Sequence, residues 1–129
     1  MAAIDVLRLH AAELAAALSA DAEVLEEGDR LFVLLSKVSL PQGRFAVAAS
    51  DVLFIGDKQY PLSSMDMFWV EREVVQPDGS VPQNADSIEQ YLGRAWRRFS
   101  WHRNGVWRVD GNPLLDHFAF FEARLADVR

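Results

Sequence analysis

The chemistry-bearing residues of this chain crowd into one stretch, Trp96-Arg97-Arg98-Phe99-Ser100-Trp101-His102-Arg103. Ser100 and His102 are two positions apart, and in extended backbone that spacing puts both side chains on one face. A serine hydroxyl is a weak nucleophile at neutral pH and needs a base such as a neutral imidazole to take its proton. The pair is therefore the minimum for an activated hydroxyl, although the spacing names no third residue to orient the imidazole. The same stretch supports a second chemistry. Trp96-Arg97-Arg98 and Trp101-His102-Arg103 loosely interleave aromatic and basic groups, as a stacking platform for nucleic-acid bases would.

Charge weighs against that second option. The 129 residues carry a net charge of −6, and a general nucleic-acid binder needs a basic face to neutralise phosphates. The sign is unevenly distributed. Arg94, Arg97, Arg98, Arg103 and Arg108 fall between Gln90 and Val109 with no acidic residue among them, which marks a distinct local surface. Other chemistries have little to stand on. The chain has no cysteine, so it has no disulfide, no thiolate metal cluster and no thiol nucleophile. It has no phosphate loop and no dinucleotide glycine pattern. Its three histidines, His10, His102 and His117, are dispersed, and nothing in their spacing favours a metal site. No cofactor is expected; His10 and His117 read as packing or surface residues.

Half of the residues are hydrophobic, enough for one core, so the whole of 1–129 is expected to be a single domain. Asp5, Arg8 and Glu13 interrupt what would be the apolar region of a signal peptide, and no uncharged stretch reaches the ~20 residues that cross a bilayer. The expectation is a soluble, cytoplasmic protein without a membrane partner.

Residues 4–19 predict a helix, because Ile4, Leu7, Ala11, Leu14 and Leu18 recur at spacings of three and four. Glu26-Glu27-Gly28-Asp29 reads as a turn. Residues 30–40, 44–55 and 65–70 read as strands, the second with a bend near Ser50-Asp51; their short connections favour antiparallel pairing. Residues 73–87 hold two turn signals and predict a loop. Residues 87–99 predict a helix, with Ser87 as cap and Ile88, Tyr91, Leu92, Ala95 and Phe99 at helical spacing. Asn104-Gly105 reads as a turn. Residues 113–127 predict the clearest helix, capped by Asn112, opened by Pro113, with Leu114, Phe118, Phe121, Leu125 and Val128 on one face. This order predicts an α+β fold with helices packed on an antiparallel sheet, Trp69 and Phe118 both in the core.

Several strings are also similar to a known superfamily. Gln59-Tyr60-Pro61, then Met65-Asp66-Met67-Phe68-Trp69, then Asp78-Gly79 and Pro82, resemble the middle of the ubiquitin-conjugating-enzyme (UBC-like) fold. The run from Gly93 to Arg103, followed by Trp107, resembles the bacterial branch called prokaryotic family E. The resemblance spans residues 30–128 and implies an N-terminal helix, a four-stranded antiparallel meander, an active-site segment and C-terminal helices. It also implies partners: an activating enzyme of the adenylating ThiF type, a ubiquitin-like protein, and a JAB-type metallopeptidase in the same pathway.

The departures are as informative as the matches. Conjugating enzymes carry ubiquitin as a thioester on a cysteine, and this chain has none. The His-Pro-Asn motif that precedes that cysteine is absent too; Pro82-Gln83-Asn84 is a faint echo at the wrong distance. Counting back from Trp107 places the family's cysteine near Phe99 or Ser100. The resemblance thus implies an oxyester on Ser100 with His102 as base, and Arg97, Arg98 and Arg103, beside Trp101, as groups that hold an anionic C-terminus or a developing oxyanion. The alternative it leaves open is a catalytically inactive variant that binds the activating enzyme or the ubiquitin-like protein as a scaffold.

Overall fold

The computed structural model describes residues 2–103 and 105–127. Two helices flank a six-stranded sheet in the order α1 (Ala3–Leu18), β1 (Ala22–Glu27), β2 (Arg30–Ser39), β3 (Ala49–Asp57), β4 (Phe68–Glu71), β5 (Ser87–Tyr91), β6 (Arg94–Phe99), α2 (Pro113–Ala126). Every strand pair is antiparallel and the spatial order is β1-β2-β3-β4-β6-β5. The first four strands form a meander, and the β5–β6 hairpin adds to its far edge through β6. The architecture is α+β, as expected.

Period-two alternation builds two apolar layers from the same strands. Leu31, Val33, Leu35, Val52, Phe54, Phe68, Val70 and Phe99 face the helices and share a core with Leu7, Leu14, Phe118 and Phe121. Phe32, Leu53, Trp69 and Trp96 face the other way and form a second buried cluster. Trp69 and Phe118 are both buried, in different layers. The helices bury the stripes their spacing predicts: Leu7, Ala11 and Leu14 from α1; Leu114, Phe118, Phe121 and Leu125 from α2. Val128 and Asn104 lie outside the described residues.

Residues 87–99 depart from expectation. They form a hairpin, not a helix, turning through Leu92 and Gly93, which both take left-handed φ values of 55° and 74°. Positive φ at both central residues is the two-residue turn that matches strand twist, and Gly93 adopts it freely. Helical spacing of the apolar residues was real but outweighed by cross-strand packing: Phe99 pairs with Phe68, and Trp96 pairs with Glu71 on one side and Glu89 on the other. A second departure is β1. Its three glutamates and half-exposed pattern disguised an edge strand, although Gly28-Asp29 turns where expected. Third, residues 44–48 are turn and bend, so β3 begins only at Ala49. Ser50 and Asp51 lie within β3; the irregularity is opposite them, where Lys37 takes φ 53° and the register with β2 shifts.

Asn112 ties the two helices together. Its Oδ1 accepts from Leu114 N at 2.9 Å, while its Nδ2 donates to the His10 carbonyl at 3.0 Å and to Glu13 Oε1 at 2.9 Å. Asn112→Ala removes the cap and both ties, and is expected to cost about 1–2 kcal/mol in urea denaturation. An unchanged midpoint would show that the cap carries no stability.

Candidate functional site

The end of β6 and the segment that follows it toward α2 carry the expected site residues. Ser100 is half-buried; its N–H donates to the Asn84 carbonyl at 2.8 Å. Its Oγ accepts from Arg98 Nε at 2.9 Å. Arg98 is held in turn by Glu89, Nη1 to Oε2 at 2.8 Å, and Glu89 Oε1 accepts from Trp69 Nε1 at 2.7 Å. Ser100 is thus the outer end of a polar chain running across β6, β5 and β4.

His102 points elsewhere. Its exposed ring meets Asp66 Oδ2 through Nδ1 at 2.5 Å. Asp66 is held further by two backbone donors on Oδ1: Met67 N at 3.0 Å and Arg103 N at 3.2 Å. Desolvation pushes the Asp66 pKa up, but the bonds from His102, Arg103 and Met67 outweigh it and hold the carboxyl below its usual range. Asp66 is therefore an ionised acceptor, which makes His102 Nδ1 the donor; in the neutral imidazole Nε2 then keeps its lone pair. Among the described residues, no hydrogen bond joins His102 to Ser100.

The three arginines have separate fates. Arg97 is buried, and its guanidinium donates to the Arg72 carbonyl at 3.1 and 2.9 Å and to the Ala85 carbonyl at 2.6 Å. It pins the loop between β4 and β5, so the structure spends this cation on backbone carbonyls in place of the expected anion contact. The reason is its register: opposite Val70 and Ile88, it faces inward beside Phe99's layer. Arg98 touches Ser100 directly. Arg103 stacks on Trp107, its guanidinium carbon 5.0 Å from the ring centroid. Together with Ser64, Met65, Asp66, Gly105 and Trp107 it lines a cavity of about 260 Å³. Trp101 donates Nε1 to the Gln83 carbonyl at 3.3 Å and lies under Arg124, 4.0 Å from its ring centroid. The larger groove, about 530 Å³, runs between Ser39–Pro41 and the end of α2, with Glu122 as its one titratable lining group among the described residues.

Two residues of this region were missed from spacing. Asp66 lies 36 positions from His102, and only the fold brings them together. His117 sits wholly buried on α2 with Nε2 bonded to the Met67 carbonyl at 2.9 Å. Among the described residues no group of three metal-ligating side chains forms; His10, His102 and His117 engage the Tyr60 hydroxyl, Asp66 and the Met67 carbonyl respectively.

An N-terminal helix, an antiparallel meander, a crossing segment set after it and a closing helix define the ubiquitin-conjugating-enzyme class of α+β fold, here without its cysteine. Residues 13–128 match the profile of Prokaryotic E2 family E, and the chain belongs to that family. No curated protein and no solved structure matches it. Membership assigns a role of the ubiquitin-conjugation kind, in which an activating enzyme and a ubiquitin-like protein are the general partners. No helix among the described residues is long and apolar enough to cross a membrane.

Proposed function

We propose that the chain accepts the C-terminal acyl group of a ubiquitin-like protein on Ser100, from an activating enzyme of the ThiF type. The observation that carries this is the Asp66–His102 pair. A carboxylate holding one ring nitrogen of an exposed histidine, with the other nitrogen free, is how an imidazole base is oriented beside a hydroxyl nucleophile. Ser100 lies two residues away, and catalytic hydrogen bonds are often long until substrate is bound.

In the first step Ser100 Oγ bonds to the activated carbonyl carbon, His102 Nε2 takes the hydroxyl proton, and the donor's leaving group departs with that proton. In the second, an amine of the target attacks the ester; an amide forms, and Ser100 regains its proton from the amine by way of His102. Arg98 Nε, already donating to Oγ, stabilises negative charge on that oxygen. Arg103 and Trp101 flank the segment as contacts for the incoming C-terminus. A JAB-type peptidase would remove the product.

The test is the intact mass of the protein after mixing with its activating enzyme, its ubiquitin-like protein, Mg²⁺ and ATP. A hydroxide-labile adduct is expected, absent in Ser100→Ala. Asp66→Asn should slow its formation by about 100-fold or more, because the base loses its orientation. An adduct that persists in Ser100→Ala sinks the assignment. The scaffold reading is favoured by one observation: Arg98, Glu89 and Trp69 already satisfy Ser100 without substrate. It predicts a stable co-eluting complex with the partners and no adduct at any time. Neither adduct nor complex would return attention to nucleic acid, read as strongly salt-dependent binding.

A further inference from the structure

We infer that His117 is a positioning residue for the Asp66–His102 pair, acting through the backbone of Met67; the inference rests on reading that pair as the oriented base. The connection is continuous. His117 Nε2–H donates to the Met67 carbonyl at 2.9 Å, Met67 N–H donates to Asp66 Oδ1 at 3.0 Å, and Asp66 Oδ2 accepts from His102. The carbonyl can only accept, so Nε2 carries the proton.

Met67 needs holding. Its φ is 61°, a left-handed conformation that crowds Cβ against the following carbonyl and is unfavourable for a long side chain such as methionine. Left to its own preference, the peptide would relax and turn its N–H away from Asp66. Two contacts oppose this: the Met67 side chain packs on the second apolar cluster, and its carbonyl is held by His117.

The holder is rigid. The His117 ring is caged edge-on by Phe54 at 4.6 Å between centroids, with Phe120 at 5.6 Å and Trp107 at 6.4 Å. It sits in the second turn of a helix whose start is fixed by the Asn112 cap. The residue type is informative as well. An apolar ring would fill the same cage without bringing a second polar atom into it. His117 Nδ1 is buried and has no protein partner among the described residues, an expensive atom to accommodate. What histidine adds over phenylalanine is the N–H aimed at Met67.

The discriminating variants are His117→Gln and His117→Asn. They share one chemistry and differ in reach: the glutamine amide falls near Nε2, the asparagine amide near Nδ1. The first readout is the NMR signal of the His102 ring proton bonded to Asp66, assigned by its absence from His102→Gln. The second is the rate of adduct formation on Ser100. The expected pattern is that His117→Gln keeps the signal and a rate within about threefold, whereas His117→Asn loses the signal and slows about 100-fold, the penalty of an ångström-scale misplacement. Any other pattern of the His102 signal among folded variants overturns the inference. The unaltered protein supplies an independent check: a scalar coupling across the hydrogen bond from His117 Nε2 to the Met67 carbonyl must be seen, and its absence overturns the inference alone. The two levels separate cleanly. A signal lost in His117→Asn, in a protein that forms no adduct, upholds the positioning role and removes the oxyester. An adduct indifferent to both variants does the reverse.

Discussion

Phe68→Ala is expected to destabilise the domain by about 3–5 kcal/mol, the usual cost of emptying a fully buried aromatic site. Phe68 has no exposed surface, stacks on Phe99 at 5.1 Å between centroids, and meets Phe121 edge-on at 4.9 Å. Its position adds to the effect. β4 is only four residues long and joins β3 through two residue pairs, Val52 with Val70 and Leu53 with Trp69. Within the strand ladder of the described residues, the β5–β6 hairpin, which leads into the segment bearing Ser100, joins the meander through this strand. Domains of this size hold about 5–15 kcal/mol in all, so the variant will stand near the edge of unfolding. Urea denaturation should show the midpoint falling by at least about 1 M. A midpoint within error of the parent would mean that the Phe68–Phe99 pair is not the joint on which the hairpin rests.

Stability should also fall with acid, most of all through His117, with His10, whose pKa burial also lowers, acting in the same direction. Burial pulls the His117 pKa down to about 4; the Met67 carbonyl and Asp66 pull it up and Arg103 pushes it down, each by less than burial does. An unfolded histidine titrates near 6.5. Between those values the unfolded chain binds a proton that the folded chain refuses, so lowering the pH favours unfolding. Above about pH 7 the two states bind alike and the effect vanishes; by about pH 4.5 it should amount to roughly 2–3 kcal/mol. Carboxylates with lowered pKa, Asp66 among them, lose their contribution at lower pH still, so they follow this transition. The check is urea denaturation at both pH values for the parent and for His117→Gln. The glutamine variant should lack this portion of the acid sensitivity. Equal slopes in the two proteins would show that His117 is protonated in the folded state as readily as in the unfolded one.

Legibility varied by element, for physical reasons. The two helices could be read because their apolar residues sit at helical spacing and because Asn112 and Pro113 announce a helix start by local chemistry. β2 was legible as a run of β-branched and apolar residues. β1 was not, since an edge strand with three glutamates needs little apolar patterning. The hairpin was misread because Ile88, Tyr91, Leu92, Ala95 and Phe99 do recur at helical spacing; the competing cue, Gly93 at the turn, is a single residue. Among the candidate site residues, Ser100, His102 and the arginines could be named from their types and density. Asp66 and His117 could not, because their roles depend on partners 36 and 50 positions distant.

The sequence by itself determined the class of fold, the absence of cysteine chemistry, the family and the stretch where serine, histidine and arginine crowd together. These follow from composition, local periodicity and short motifs, which act over a few residues. Only the tertiary structure decided how the polar groups are shared: Arg97 to carbonyls, Arg98 to Ser100, Asp66 to His102, His117 to Met67. A buried donor or acceptor must find its partner wherever packing brings one. Which of Arg97 and Arg98 turns to the inner carbonyls and which to Ser100 is therefore settled by the register of β6 against β4, not by the order of arginines along the chain.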